Sequence, residues 1–183
     1  MFEIALIINV FYALAIFSQQ AAKRRFNVEL NEYRCNHFGT VIKCLECSFT
    51  KVSTNNFVTN TAMEFNQELA RNSEFRLLVS FQLPKKDKVI KFLDLKMTIC
   101  DVLSQMMSVP LVKRIIKETR RTSNMPYACP IKANYLYYMA NYSITDELFP
   151  TYTPYISFNF SLFYFENGKL FASSNVGGAT VPK

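Results

Sequence analysis

The chain has 183 residues and a formal charge of +7, and half of it is hydrophobic, with 17 Phe, 10 Tyr, no Trp and only 4 Gly. This is enough apolar material for a real core, which excludes a disordered or fibrous chain. The basic charge favours anionic partners, but it is spread along the chain without a basic tail, so a solubilising surface explains it better than nucleic-acid binding.

The first element is apolar. Ile4 to Phe17 reads IALIINVFYALAIF, then Ser18, Gln19 and Gln20 break the run before Lys23, Arg24 and Arg25. Its length fits the ~7–15-residue apolar core of a signal peptide and is short for a membrane span of ~20 residues. Residues 1–18 are therefore read as a signal peptide and residues 19–183 as a single secreted domain. Losing Glu3 with the leader raises the charge to +8.

The following segments alternate apolar and polar residues, the pattern of half-buried strands. Phe26–Tyr33, Cys47–Val52 and Phe57–Phe65 are three weaker examples. The clearest strand carries Phe75, Leu77, Val79, Phe81 and Leu83 against Arg76, Ser80 and Gln82. Pro84-Lys85-Lys86-Asp87 makes a turn, and Val89–Ile99 returns with Leu93, Leu95 and Met97 on one face, a hairpin. Between Cys100 and Cys129 the period lengthens. Leu111, Val112, Ile115 and Ile116 fall at helical spacing opposite Lys113, Arg114 and Lys117, and Pro110 suits a first helical turn. A helical insertion of about four turns is expected there.

Alternation resumes at Ile131, Ala133, Tyr135, Tyr137 and Met139, and again at Ile156, Phe158, Phe160 and Leu162. Asn167-Gly168 is a strong hairpin signal, with Leu170–Val176 as the returning strand. About eight antiparallel strands with polar turns predict a mainly β sandwich or barrel.

Chemistry-bearing residues are sparse. His37 is the one histidine, so no Ser/His/Asp triad can be assembled without it. Cys35 and His37 would share a strand face, but no third residue orients the base. Cys44-x-x-Cys47 has metal-ligand spacing without a second ligand pair, and it lacks the βαβ context of a redox motif. Glu64, Glu68 and Glu74 read as solvated, and Gly177-Gly178 as a turn or bulge. The expectation is no enzyme, no metal and no cofactor. Five cysteines, Cys35, Cys44, Cys47, Cys100 and Cys129, read as disulfides in an exported chain with one thiol left over. The sequons Asn141-Tyr142-Ser143 and Asn159-Phe160-Ser161 agree with export. Asn159 would face outward if Phe158 and Phe160 face inward. The basic face of Lys113, Arg114 and Lys117 could meet an anionic head group or membrane surface, although the wet face of an amphipathic helix explains it as well.

The stretches Leu95-Lys96-Met97-Thr98-Ile99-Cys100-Asp101-Val102-Leu103 and Ser123-Asn124-Met125-Pro126-Tyr127-Ala128-Cys129-Pro130-Ile131 resemble an insect family of small secreted proteins of unknown function. That family is similar to the ML lipid-recognition superfamily, which includes the ganglioside activator protein and chemosensory relatives. The resemblance implies an immunoglobulin-like β-sandwich with a pocket between its sheets. It also implies disulfides Cys100–Cys129 and Cys35–Cys47, with Cys44 as an extra thiol, and binding without catalysis. The resulting expectation is an extracellular carrier of a small apolar ligand such as a fatty acid, hydrocarbon or sterol. Leu77, Val79, Phe81, Phe158, Phe160 and Leu162 are the candidate pocket walls, and Lys113, Arg114 and Lys117 the head-group candidates. The alternative is an extracellular protein-interaction or co-receptor-type module with a filled core, using its surface only.

Overall fold

A computed structural model describes residues 24–104 and 110–183; the signal peptide read at residues 1–18 lies outside the described residues. The fold is an antiparallel β-sandwich of eight strands. In chain order these are β1 (Phe26–His37), β2 (Ile42–Ser53), β3 (Asn56–Phe65), β4 (Glu74–Gln82), β5 (Val89–Thr98), β6 (Leu136–Thr145), β7 (Ser157–Glu166) and β8 (Lys169–Pro182). One sheet has the order β1-β8-β7-β4-β5 and the other β2-β3-β6. Two helices, α1 (Ile99–Ser104) and α2 (Pro110–Thr122), lie between β5 and β6. Among the described residues no helix is long and apolar enough to cross a membrane.

Local chemistry accounts for the hairpins. β7 and β8 meet at Asn167 and Gly168, both at positive φ (50° and 74°), which is the requirement of a two-residue turn with primed geometry. β4 and β5 pair from Glu74↔Thr98 to Gln82↔Val89, with Lys85 at φ 59° after Pro84. The Arg76 guanidinium holds Asp94 across this pair at 2.7 Å, and Lys91 approaches the same carboxylate at 3.0 Å. Both cations hold the Asp94 carboxyl well below the usual carboxylate range, Arg76 most strongly. The group is exposed, so this fixes register more than stability.

The two sheets are unequal, and the helices make up the difference. Leu111, Val112, Ile115 and Ile116 of α2 pack on Leu77, Val79, Leu93 and Leu95 of β4 and β5. The helix thus covers the half of the large sheet that the three-stranded sheet does not reach. Cys100–Cys129 ties the start of α1 to the segment that leads into β6, with Cα atoms 5.4 Å apart. At the opposite side, Cys35–Cys47 joins β1 of one sheet to β2 of the other, with Cα atoms 5.9 Å apart. Cys44 is a free thiol. A buried carboxylate, Glu166, pins the connection before β4 by accepting from Gln67 Nε2 (2.6 Å) and the Ala70 amide (3.1 Å). A charge at that depth requires such partners.

The helix expected from Pro110 is α2, 13 residues long, and the short α1 precedes it between β5 and β6. Other sequence expectations change. The strand expected from Ile131 begins at Leu136 instead. Ala133-Asn134 forms a turn with Asn134 at φ 51°, and the Asn134 amide donates to Phe65 O. Ile131 is buried without being in a strand, while Tyr135, counted into the alternation, is exposed. Finally, Gly177-Gly178 lies inside β8 opposite a bulge at Asn31 in β1. A Cβ on Gly178 would run into Glu29 O and stand 2.6 Å from the Phe158 ring, so glycine is what lets these two strands and that ring approach. β1, β2 and β8 also extend further than their alternation suggested, to His37, back to Ile42 and to Pro182.

Candidate functional site

The inner face of the large sheet is built from cross-strand pairs. Leu77 faces Leu162, Val79 faces Phe160 and Phe81 faces Phe158 along β4 and β7. The six candidate wall residues are therefore one contiguous patch, three pairs long. Opposite them the small sheet presents Thr59, Met139, Tyr142 and Ile144, and α2 presents Leu111 and Ile115.

The space between is not completely filled. Three apolar cavities lie in line along β7. An inner cavity of about 180 Å³ is walled by Leu162 and Tyr164, together with Tyr33, Thr61 and Phe171. A middle cavity of about 120 Å³ shares Tyr33, Thr119, Met139 and Leu162 with it. An outer cavity of about 500 Å³ shares Leu111, Leu148, Phe149, Phe158 and Phe160 with the middle one. The inner and outer cavities share no wall residue, so the order is fixed. From Phe158 to Tyr164 the row spans six residues of strand, about 20 Å at ~3.3 Å per residue. The outer cavity reaches the surface beside Phe92 and Tyr152, which are 61% and 88% exposed, and the inner one beside Tyr138, which is 49% exposed.

Aromatic rings control this outer end. Phe149, from the segment after β6, stands 4.8 Å from Phe158 and 6.2 Å from Phe160, centroid to centroid. The preceding 3-10 turn, Asp146–Leu148, is capped by Thr145. Its Glu147 carbonyl accepts from Arg114 of α2. The helix and the aromatic segment are thereby joined at the opening.

Among the described residues no charged side chain lines the three cavities. Lys113, Arg114 and Lys117 occupy the exposed face of α2 and are not among the cavity walls, although Arg114 reaches the Glu147 carbonyl next to Leu148 at the outer opening. Asn141 is exposed at a bulge in β6 with φ 58°, a conformation asparagine tolerates. Asn159 sits half-buried in the middle of β7 between Ser80 and Gly177. Its Oδ1 accepts from Ser161 at 3.2 Å. Cys35 is oxidised and His37 is exposed at the end of β1, so the pair holds no thiol nucleophile. Glu64 and Glu74 are taken up by Lys43 and Lys96, each at 2.7 Å, and Glu68 is exposed.

Three tyrosines give the interior its polar character. Burial raises the Tyr33, Tyr142 and Tyr164 phenols above their ordinary value, with Tyr164 pushed up to about 12. A negative charge on Tyr33 adds to the effect at the other two, and Glu118 adds at Tyr142. Hydrogen bonds with Thr61 and Ser174 pull the opposite way at Tyr33 and Tyr164. These phenols are acids whose folded values exceed their unfolded value of 10.0, so the native state keeps its protons longer than the unfolded chain. The stability they contribute is complete below pH ~10 and falls as pH rises through ~12. Melting temperature measured against pH is expected to drop steeply in that window, with part of the tyrosinate absorbance appearing only on unfolding. A full tyrosinate signal at pH ~10.5 in the folded protein would contradict this.

Tyr33 was not among the sequence candidates because of the bulge at Asn31. Before it Phe26, Val28 and Leu30 point inward; after it the inward parity switches to Tyr33 and Cys35. That parity switch is itself a visible signal. Phe149 and Tyr152 were missed because the segment 146–155 has no period to read, although its aromatics are conspicuous in a loop.

The molecule is a disulfide-tied β-sandwich with an apolar row of cavities between its sheets. Residues 73–160 match the model of a family described as a protein of unknown function (DUF1091). The match begins just before β4 and ends within β7, so it includes both helices, Cys100, Cys129 and the outer aromatic segment. No curated protein matches the chain.

Proposed function

We propose that the protein is a secreted carrier of a small, elongated apolar ligand held between its sheets, in the manner of an ML-type lipid-recognition domain. The observation that carries this reading is the row of three adjoining cavities with uncharged walls, opening beside Phe92 and Tyr152. Interiors are normally packed to near-crystalline density, and ligand sites typically occupy about 300–1,000 Å³ of mostly apolar space. The outer cavity alone, at about 500 Å³, falls in that range. Burial of apolar ligand surface would supply about 25 cal/mol per Å². Export rests on the N-terminal apolar run, two disulfides and two sequons. A chemosensory role would follow if the ligand is an environmental or cuticular lipid.

Native mass spectrometry and lipid extraction of protein purified from insect cells test the carrier reading. A co-purifying apolar species is expected, as is binding of a fluorescent apolar probe after delipidation. If neither is found, the cavities are packing voids and the protein acts through its surface alone.

A further inference from the structure

The junction between the inner and middle cavities carries hydroxyl groups in an otherwise apolar row. Tyr33 walls both cavities, and its hydroxyl is hydrogen-bonded to Thr61, which walls the inner one. Two hydroxyls bring two hydrogens, and their mutual bond uses one. Neither group has a second protein partner among the described residues. One hydrogen therefore lacks an acceptor among the described residues, at a half-buried point between two mostly apolar cavities, and leaving a donor there unpaired is unfavourable. Tyr142 walls the middle cavity and Tyr164 the inner one, so further phenols flank the same point.

We infer that the ligand is a neutral long-chain lipid bearing an alcohol, ketone or ester oxygen, which accepts the free hydrogen of the Tyr33–Thr61 pair. The inference rests on the carrier reading and narrows its ligand class. A plain hydrocarbon would leave the donor unpaired. A carboxylate at this depth would be desolvated with no cation among the described residues of the cavity walls to compensate it. Burial also keeps the surrounding phenols protonated, as donors, at physiological pH.

Displacement of the probe phenylnaphthylamine from delipidated protein by hexadecanol, hexadecane and palmitate tests this directly. Hexadecanol is expected to compete about fivefold better than hexadecane, the value of one net hydrogen bond near 1 kcal/mol, and palmitate is expected to be weaker than hexadecanol. In the double variant Tyr33→Phe/Thr61→Val the alcohol-to-alkane ratio is expected to fall towards one, whereas either single replacement leaves one hydroxyl with a free hydrogen and keeps the preference. Because the ratio is taken within each variant, a general loss of folded protein cancels. Equal competition by alcohol and alkane in the native protein, a preference for palmitate, or an unchanged ratio in the double variant would overturn the inference while leaving the carrier intact. Failure of the probe and of all three competitors to bind would instead remove the carrier reading itself, and this inference with it.

Discussion

Replacement of both Cys100 and Cys129 by serine is expected to lower stability by about 3–4 kcal/mol. The bridge closes a loop spanning a sequence separation of 29, and the loss of closure entropy for such a loop gives that magnitude. For a chain of this size the melting temperature should fall by roughly 6–16 °C, at ~2–4 °C per kcal/mol. The effect reaches the candidate site as well. Between the two cysteines lie α1 and α2, and Val112 of α2 is buried over Leu77 and Val79. Without the staple, α2 is held chiefly by its apolar face and by Arg114 on the Glu147 carbonyl. Exposed apolar dye-binding surface should therefore appear before the sheets melt. The double replacement is the appropriate variant, since a single one leaves a thiol able to exchange with Cys44. Calorimetry of the oxidised, reduced and double-serine proteins checks the result. An unchanged melting temperature in the double-serine protein would mean that the helical segment is already fully ordered by packing.

How far the fold could be read beforehand depends on which physical signal each element carries. β4 and β5 were legible because Leu77, Val79 and Phe81 alternate strictly and Pro84-Lys85 stops the strand. The β7–β8 turn was legible because Asn167-Gly168 admits the left-handed backbone a tight hairpin needs. The start of α2 followed from Pro110 and an apolar stripe at helical spacing. β6 was placed five residues early because its alternation continues smoothly from Ile131 through Met139. What breaks it is a turn at Asn134 and a bulge at Asn141, set by pairing with β3. Periodicity within one strand cannot register a partner eighty residues away. The partnership of β1 with β8, the two ends of the domain, is of the same kind.

The candidate site divides along the same line. Leu77, Val79, Phe81, Phe158, Phe160 and Leu162 were readable as inward faces of two strands, and strand pairing turned them into three cross-strand pairs. The opposite wall comes from the small sheet, from α2 and from the aperiodic segment holding Phe149 and Tyr152. None of these could be assigned to a shared space without the three-dimensional arrangement. The basic residues of α2 show the limit from the other side. Helical spacing placed Lys113, Arg114 and Lys117 together, but it placed them on the face that the same periodicity turns to solvent.

Phe158→Ala is expected to cost about 3–5 kcal/mol, the usual range for removing a buried phenylalanine ring. Phe158 is 5% exposed. Its ring contacts Phe149 at 4.8 Å and Phe160 at 5.6 Å, and it fills the space that Gly178 leaves open for it. Relaxation into the vacancy is limited, because Gly178 is held by strand pairing on both sides, to Leu30 of β1 and to Phe158 of β7. The new void would merge the middle and outer cavities, whose shared wall this ring provides. A dry apolar void of this type accepts small apolar molecules. The variant should consequently regain part of its lost stability when a small apolar compound is added, and by more than the native protein gains from the same compound. Ligand at a hundredfold excess over its dissociation constant would restore about 2.7 kcal/mol. Denaturant unfolding with and without such a compound measures both quantities. A large destabilisation without this rescue would show that the aromatic segment around Phe149 collapses onto the vacancy. The cavities would then owe their shape to that segment's position and not to the sheet.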